Sequence, residues 1–527
     1  MNNSPFSFNR ILYTVVIFLL GMSVTFYFVK KQRTTPNPYD KLRDLIYYID
    51  HFYVDSVNHE QLSEDAIYSM LERLDPHSVY SNAEENKLQT EQLEGAFEGI
   101  GVQFHIMNDT IMVVAAVAGS PSEKTGIKAG DRIVQVNDES VAAIGITNDQ
   151  VFKMLRGKKG TIVKVGIIRP GIKGVLDFDI VRDVIATHSI PSAYMMNEHT
   201  GYIKIDQFGG HTADEFSEAL HKLLSKGMQH LMLDLRGNVG GYLEAALKIT
   251  DHFLSKGDLI LSVKGMHTKQ EKFYASGKGI FKNGGLVVLI DEISASASEI
   301  VAGAIQDNDR GTIIGRRSFG KGLVQRPFNF ADGSQVRLTT SRYYTPSGRC
   351  IQREYKNGTA AYYEDLLQRI INEDDSVSFP NDTLPAKEYQ TKSGRIVYGG
   401  GGITPDITMP HEKRSYSNAY YQMLNNTTLI QFAFNYANQN KATLTVKYPS
   451  AEAFIKKMTV TNLILQEYIS FYAQNNSNIK PELNSEEKAA LSHWIKALIG
   501  RNLYQDEAFY PIINEVDEVI KEALKTM

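Results

Sequence analysis

Apolar residues along this chain follow three different spacings. From Asp40 to about Gln92 they recur at three- and four-residue steps, as in LRDLIYYIDHFYV and EDAIYSMLERL, which predicts helices interrupted at the proline of LDPHSVYS (Leu74–Ser81). From Gly95 to about 183 short alternating runs take over, in FEGIGVQF, IMVVAAVAGSPSEKTGIKAGDRIVQVNDESV, TIVKVGIIRPG and LDFDIV. Turn residues separate them and one helix falls at NDQVFKMLRG, which predicts a small, partly open β-barrel. From Ile190 to Pro410 strand and helix patterns alternate: GYIKIDQF, ADEFSEALHKLLSKG, HLMLDLRG, YLEAALKITDHFL and GGLVVLI. That rhythm predicts an α/β layer. Helical spacing returns from Tyr416 to Met527, as in EEKAALSHWIKALIGRNL, with no visible chemistry.

The N-terminus departs from all three. Ile11 to Val29 is uncharged and just long enough to cross a bilayer, and no small-residue cleavage site ends it. The expectation is an uncleaved signal-anchor, followed by the Pro/Thr linker QRTTPNP (Gln32–Pro38). Arg10 lies before the segment and Lys30, Lys31 and Arg33 after it, so the flanking charges do not settle its orientation.

Composition narrows the chemistry. The 527 residues suffice for three or four domains, and 43% apolar residues, 22% charged residues and a net charge of −4 are those of an ordinary globular protein. No basic stripe points to nucleic acid. The single cysteine, Cys350, excludes an intrachain disulfide and Cys-rich metal sites, and the 13 histidines show no HExxH-type spacing. Neither a metal nor a cofactor is expected.

Candidate chemistry lies at SASASEIVAGAIQD (Ser294–Asp307), where a buried strand meets a helix with an apolar stripe of Ile300, Val301, Ala304 and Ile305. Amides without partners and the helix dipole favour negative charge there, which suits a nucleophile as well as a plain N-cap. Downstream, GTIIGRRSFGKGLVQ (Gly311–Gln325) holds Lys321. Gly315, Gly320 and Lys321 fit a phosphate-binding loop only in part, because Gly322 stands where a Ser or Thr must hold Mg²⁺. Ser318 and Lys321 fit S-x-x-K, but the flanking glycines disfavour the helix that motif requires. Lys321 can act as a base if burial lowers its pKa. Phe319, Leu323 and Val324 are candidates for the apolar pocket, Arg316 and Arg317 for nearby charge, and Gln325 for a strand neighbour projecting to the same side.

Two resemblances organise these motifs. Residues 95–185, with GIGV and AGDRIVQVND, resemble a PDZ domain. Gly99, Ile100, Gly101 and Val102 stand where that family binds a peptide carboxylate, the peptide adding a strand to the sheet edge. SASASEIVAGAIQD followed by FGKGLVQ resembles the C-terminal processing peptidases, serine proteases with an inserted PDZ domain. The likeness runs from about Asp40 to Ile407 through LDPHS, GYIKIDQF, LDLRGNVGG, YYTPSGRCIQ and GGITPDI. It implies Ser296 as nucleophile, Lys321 as base and Gln325 as the residue orienting it. The Ala297 amide and a glycine amide, Gly241 or else Gly240, would form the oxyanion hole, with Ser294 and Ser298 structural. Asp307, assigned to a catalytic relay in some members, is expected to cap or pair structurally. The chain departs from the family at Asp291–Ile293 and at Cys350.

The resulting expectation is a multidomain protein: signal-anchor and linker (1–39), helical N-terminal region (40–94), PDZ-like barrel (95–185), α/β protease core (186–412) on which 40–94 packs, and helical C-terminal extension (413–527). As a single-pass inner-membrane protein with its catalytic body in the periplasm, it would take protein or peptide substrates with free, apolar C-termini. A third reading, beside this one and a scaffold, is an active core whose helical extension docks an adaptor or a second subunit. The alternative of a different class is a catalytically silent PDZ-bearing scaffold, against which the intact Ser296, Lys321 and Gln325 argue.

Overall fold

The computed structural model describes residues 12–23, 37–107, 109–169, 171–371, 387–411, 416–476 and 481–527. The chain divides into two units, residues 1–70 and 71–527. The first contains a helix at 12–23, the helix Pro38–Phe52 and most of His59–Glu72. Pro38–Phe52 begins where the Asn37 side chain accepts the Tyr39 amide at 3.1 Å and a proline occupies the first turn.

The expected membrane span is corrected here. No helix among the described residues is long and apolar enough to cross a membrane. The helix at 12–23 rises about 18 Å at 1.5 Å per residue, against a hydrocarbon core of about 30 Å; Ile11 and residues 24–29 of the expected span lie outside the described residues. The transmembrane helix, signal-anchor, membrane contact and single-pass inner-membrane placement with a periplasmic body therefore lack support.

In the second unit, a six-stranded sheet runs in the order Ser192–Met195, Thr200–Lys204, His230–Asp234, Gly285–Ile290, Thr312–Gly315 and Ile407–Thr408. It is parallel apart from its first pair. Alternation along the strands shows why GGLVVLI is continuously apolar. Leu286, Val288 and Ile290 face a core shared with the helices Thr212–Ser225, Leu243–Asp251 and Ala297–Asp307. Val287 and Leu289 face the opposite side, where Val519, Ile520 and Ala523 of the C-terminal helix Glu518–Lys525 cover them. The end of the extension is thus part of this sheet's packing.

A smaller sheet, Val102–Ile106, Ile111–Ala116, Arg132–Val136, Ile162–Ile168 and Leu176–Val181, with Glu139–Ser140 paired to its third strand, wraps a core including Ile100, Val113, Val151 and Val165. Among the described residues Val102–Ile106 pairs only with Ile111–Ala116 and so forms an edge. A third sheet joins Val79–Ser81, Gln335–Tyr344, Leu259–Lys264 and Glu271–Tyr274, with Leu323–Asn329 also paired to Gln335–Tyr344. Helices from Asn418 to Asn514 pack around a core of their own.

Candidate active site

The strand Gly285–Ile290 and the helix Ala297–Asp307 are joined by a turn that Asp291 organises. Its carboxylate accepts the amides of Ile293 at 3.1 Å, Ser294 at 3.0 Å and Gly237 at 2.9 Å. Ser294 and Ser298 are fully buried, their hydroxyls donating to Leu235 O at 2.9 Å and Asn238 O at 3.0 Å. Ser296 between them is half-buried, with φ 54° and ψ −108°. A non-glycine residue with positive φ is strained and points its side chain where an ordinary helix start would not. Of the three serines, Ser296 alone has solvent access.

Two amides flank it. The Ala297 amide and the Gly241 amide donate to no group among the described residues, whereas the Gly240 amide is taken by Asn238 Oδ1 at 2.8 Å. Gly240 has φ +104°, and a Cβ there would lie 2.8 Å from the Ser296 Cβ and from Ala295 O, so only glycine fits. The loop is anchored by Arg236, which bonds Asp234 at 2.7 Å and Asp517 at 2.8 Å. Burial alone would push the Asp234 carboxyl up, but Arg236 and Lys204 hold it well below the usual carboxylate range.

Lys321 follows the strand Thr312–Gly315. Its Nζ donates to Gln325 Oε1 at 2.8 Å, and Gln325 Nε2 donates to the His77 carbonyl. Gln325 reaches the amine from the strand Leu323–Asn329 across a bulge between Val324 and Gln325, rather than by simple alternation from Lys321, which precedes the strand. No Ser296 Oγ–Lys321 Nζ hydrogen bond is present; such bonds are often long before substrate binds. Burial lowers the Lys321 pKa, Glu299 opposes by raising it, and Arg337 lowers it further. The two arginines expected from sequence are engaged elsewhere: Arg316 with Glu292 at 2.6 Å, and Arg317 with Gly401 O at 2.6 Å. His77 is pushed down to about 4, first by burial and then by Lys321. The LDPHS segment is held by Asp75, which accepts the amides of His77 and Ser78, each at 2.8 Å.

Sequence reasoning missed Glu299. This fully buried carboxylate accepts the amides of Ser296 at 2.8 Å, Gly320 at 2.7 Å and Lys321 at 2.9 Å, and the Ser318 hydroxyl at 2.5 Å. Burial pushes it up to about 7 against those four hydrogen bonds. The S-x-x-E spacing of a capping box, Ser296 to Glu299, was the available signal. Asp307 lies at the far end of that helix, paired with the equally buried Arg349 at 2.7 Å. In the small barrel, the carbonyls of Ile100 and Gly101 accept from Ser122 and Val117, each at 2.9 Å. The amides of Ile100 and Gly101 donate to no group among the described residues and immediately precede the edge strand that begins at Val102.

Comparison with known proteins bears on this geometry. Residues 199–362 match the model of Peptidase family S41, residues 112–169 that of the PDZ domain, and residues 419–505 a family of unknown function, DUF8443. The chain is 35% identical over 350 residues to a carboxy-terminal-processing protease of Bartonella bacilliformis, covering 64% of this chain and 80% of that one. It is 37% identical over 321 residues to the carboxy-terminal processing protease CtpB of Bacillus subtilis, covering 60% of this chain and 66% of that one. With CtpA of the same organism the identity is 35% over 326 residues, covering 62% and 69%.

Proposed function

Because the chain belongs to the carboxy-terminal processing protease family and is a serine-type peptidase with a PDZ domain, we propose that it is an endopeptidase that cleaves through Ser296, with Lys321 as base and Gln325 orienting that base. The observation that carries this reading is the half-open, strained Ser296 between two buried, hydrogen-bonded serines, with the unengaged amides of Ala297 and Gly241 beside it. In the proposed reaction, Ser296 Oγ bonds to the scissile carbonyl carbon as its proton passes to neutral Lys321 Nζ. The carbonyl oxygen takes up negative charge between the Ala297 and Gly241 amides; losing one such donor typically costs about 2.7–4 kcal/mol of transition-state stabilisation. Lys321 then protonates the leaving amine as the C–N bond breaks, leaving an acyl-enzyme. Water attacks the ester, gives its proton to Lys321, and Ser296 recovers it. Burial supports the neutral amine that the first step requires.

Substrate choice is assigned to residues 95–185. The amides of the Gly99–Val102 loop suit a chain-terminal carboxylate, and the unpaired edge of Val102–Ile106 suits an extended tail. The test is cleavage of an unstructured protein with an apolar C-terminus, read by mass spectrometry, against Ser296→Ala and Lys321→Ala. The expected result is cutting by the parent and silence from both folded variants. Cutting by Ser296→Ala would remove the proposed nucleophile, while silence from the parent together with tail binding would leave a scaffold.

A further inference from the structure

The groove beside the edge strand Val102–Ile106 has a wall from outside the barrel. About 500 Å³ in volume, it is lined by that strand, by Asn148 and Phe152 of the helix Asn148–Leu155, and by Thr427, Ile430 and Gln431 of the helix Thr427–Gln439. This volume is that of a ligand site and leaves room for side chains. The two stripes of Thr427–Gln439 divide their labour. Leu429, Phe432, Ala433 and Ala437 enter the core of the C-terminal bundle. Thr427, Ile430, Gln431 and Asn438 recur at helical spacing on another stripe, toward the barrel. Asn438 marks the junction: a Cβ added at Gly130 of the barrel would lie 2.3 Å from its Nδ2.

Ile430 remains 40% exposed and Phe152 41% exposed, although both line one concave site, and Phe152 meets Phe104 edge-on at 5.5 Å. Large apolar groups left partly open around a groove, beside an unpaired strand edge, fit an occupant with its own backbone donors and acceptors and apolar side chains. An extended peptide has both. On such a strand the side chains two and four residues before the terminus share the face of the terminal one.

We propose that the C-terminal extension completes the peptide groove, with Ile430, Phe152 and Phe104 forming an apolar subsite that selects the substrate tail's side chains upstream of its last residue. This rests on the reading of residues 95–185 as the tail-binding module and extends it: specificity would be read jointly by the barrel and the extension.

The test uses the full chain carrying Ser296→Ala, to prevent cleavage, and fluorescein-labelled ten-residue peptides with an apolar last residue. One carries Leu and another Ser at the second and fourth positions before the end, and each is made with a free and an amidated terminus. Fluorescence anisotropy is expected to show at least tenfold tighter binding of the free Leu peptide than of the free Ser peptide. Adding Ile430→Arg, at an exposed position that tolerates charge, should shrink that preference below twofold, and Ile430→Leu should preserve it. If amidation abolishes binding but the preference survives Ile430→Arg and Gln431→Ala, the tail-binding reading stands and the joint subsite is overturned. If Ile430→Arg tightens every peptide, the helix obstructs the groove and the proposal is likewise overturned. If amidation changes nothing while Ile430→Arg still erases the preference, terminal-carboxylate capture fails and the subsite stands.

Discussion

The backbone amides of Ser296 and Lys321, far apart in sequence, donate to the same carboxylate oxygen, Glu299 Oε2, at 2.8 and 2.9 Å. Their carbonyls are joined as well: the buried Tyr343 hydroxyl lies 3.3 Å from Ser296 O and 2.8 Å from Lys321 O. The strand-to-helix turn and the lysine loop are therefore fixed to one another through their main-chain groups, while the Lys321 amine is held by Gln325.

Glu299→Gln replaces one acceptor oxygen by an amide that faces donors, which costs about 1–3 kcal/mol per unmatched buried group. The pH dependence carries a specific sign. Folded Glu299 keeps its proton to about 7, whereas an unfolded glutamate loses its proton near the ordinary 4.5. The folded state thus binds the extra proton between those values, and this residue's contribution to stability falls as pH rises through that window, by on the order of 3 kcal/mol. Urea midpoints from pH 5 to pH 8 should show the gap between parent and Glu299→Gln narrowing as pH rises. Parallel curves would refute this linkage.

Arg337 lowers the Lys321 pKa and is the cation that does so. Arg337→Met is expected to move the acidic limb of the kcat/KM profile to higher pH, because a less perturbed amine stays protonated longer. Arg337→Lys should leave the limb in place. An unmoved limb in Arg337→Met would show that the base titrating there is not under Arg337's influence.

Gly240→Ala puts a methyl against the Ser296 Cβ and forces an L side chain into φ +104°. Displacing Ser296, the proposed nucleophile, by a fraction of an ångström, together with the proposed oxyanion amides, should lower kcat by about a hundredfold. Near-UV circular dichroism should show a folded protein. Activity within twofold of the parent would mean that the loop relaxes without moving Ser296.

Ile520 is 1% exposed, packed with Val519 and Ala523 against Met232, Val287 and Leu289. Ile520→Ala should cost about 2–5 kcal/mol, and the loss should appear in the single unfolding transition of the sheet. An independent, earlier transition with the sheet's transition unchanged would show that the terminal helix is an appendage.

Local periodicity and spacing made much of this protein legible. Continuous apolar runs in HLMLDLRG and GGLVVLI announced strands covered on both faces, since each residue of such a strand meets a hydrophobic layer. Ser296, Lys321 and Gln325 were singled out through the resemblance of two short stretches, SASASEIVAGAIQD and FGKGLVQ, to the peptidase family. What covers the second face of the sheet was not legible: Val519, Ile520 and Ala523 form an ordinary amphipathic stripe, and a stripe does not name its partner. The apolar run after Ile11 likewise carried hydropathy, but no helix among the described residues is long and apolar enough to cross a membrane, and length decides whether a bilayer is crossed. Tertiary structure alone joined Glu299 to Ser296, Ser318, Gly320 and Lys321, and set Ile430 and Phe152 around one groove. Hydrogen bonds and apolar contacts act over a few ångströms, so which distant residues come within that range is decided by the packing of whole elements.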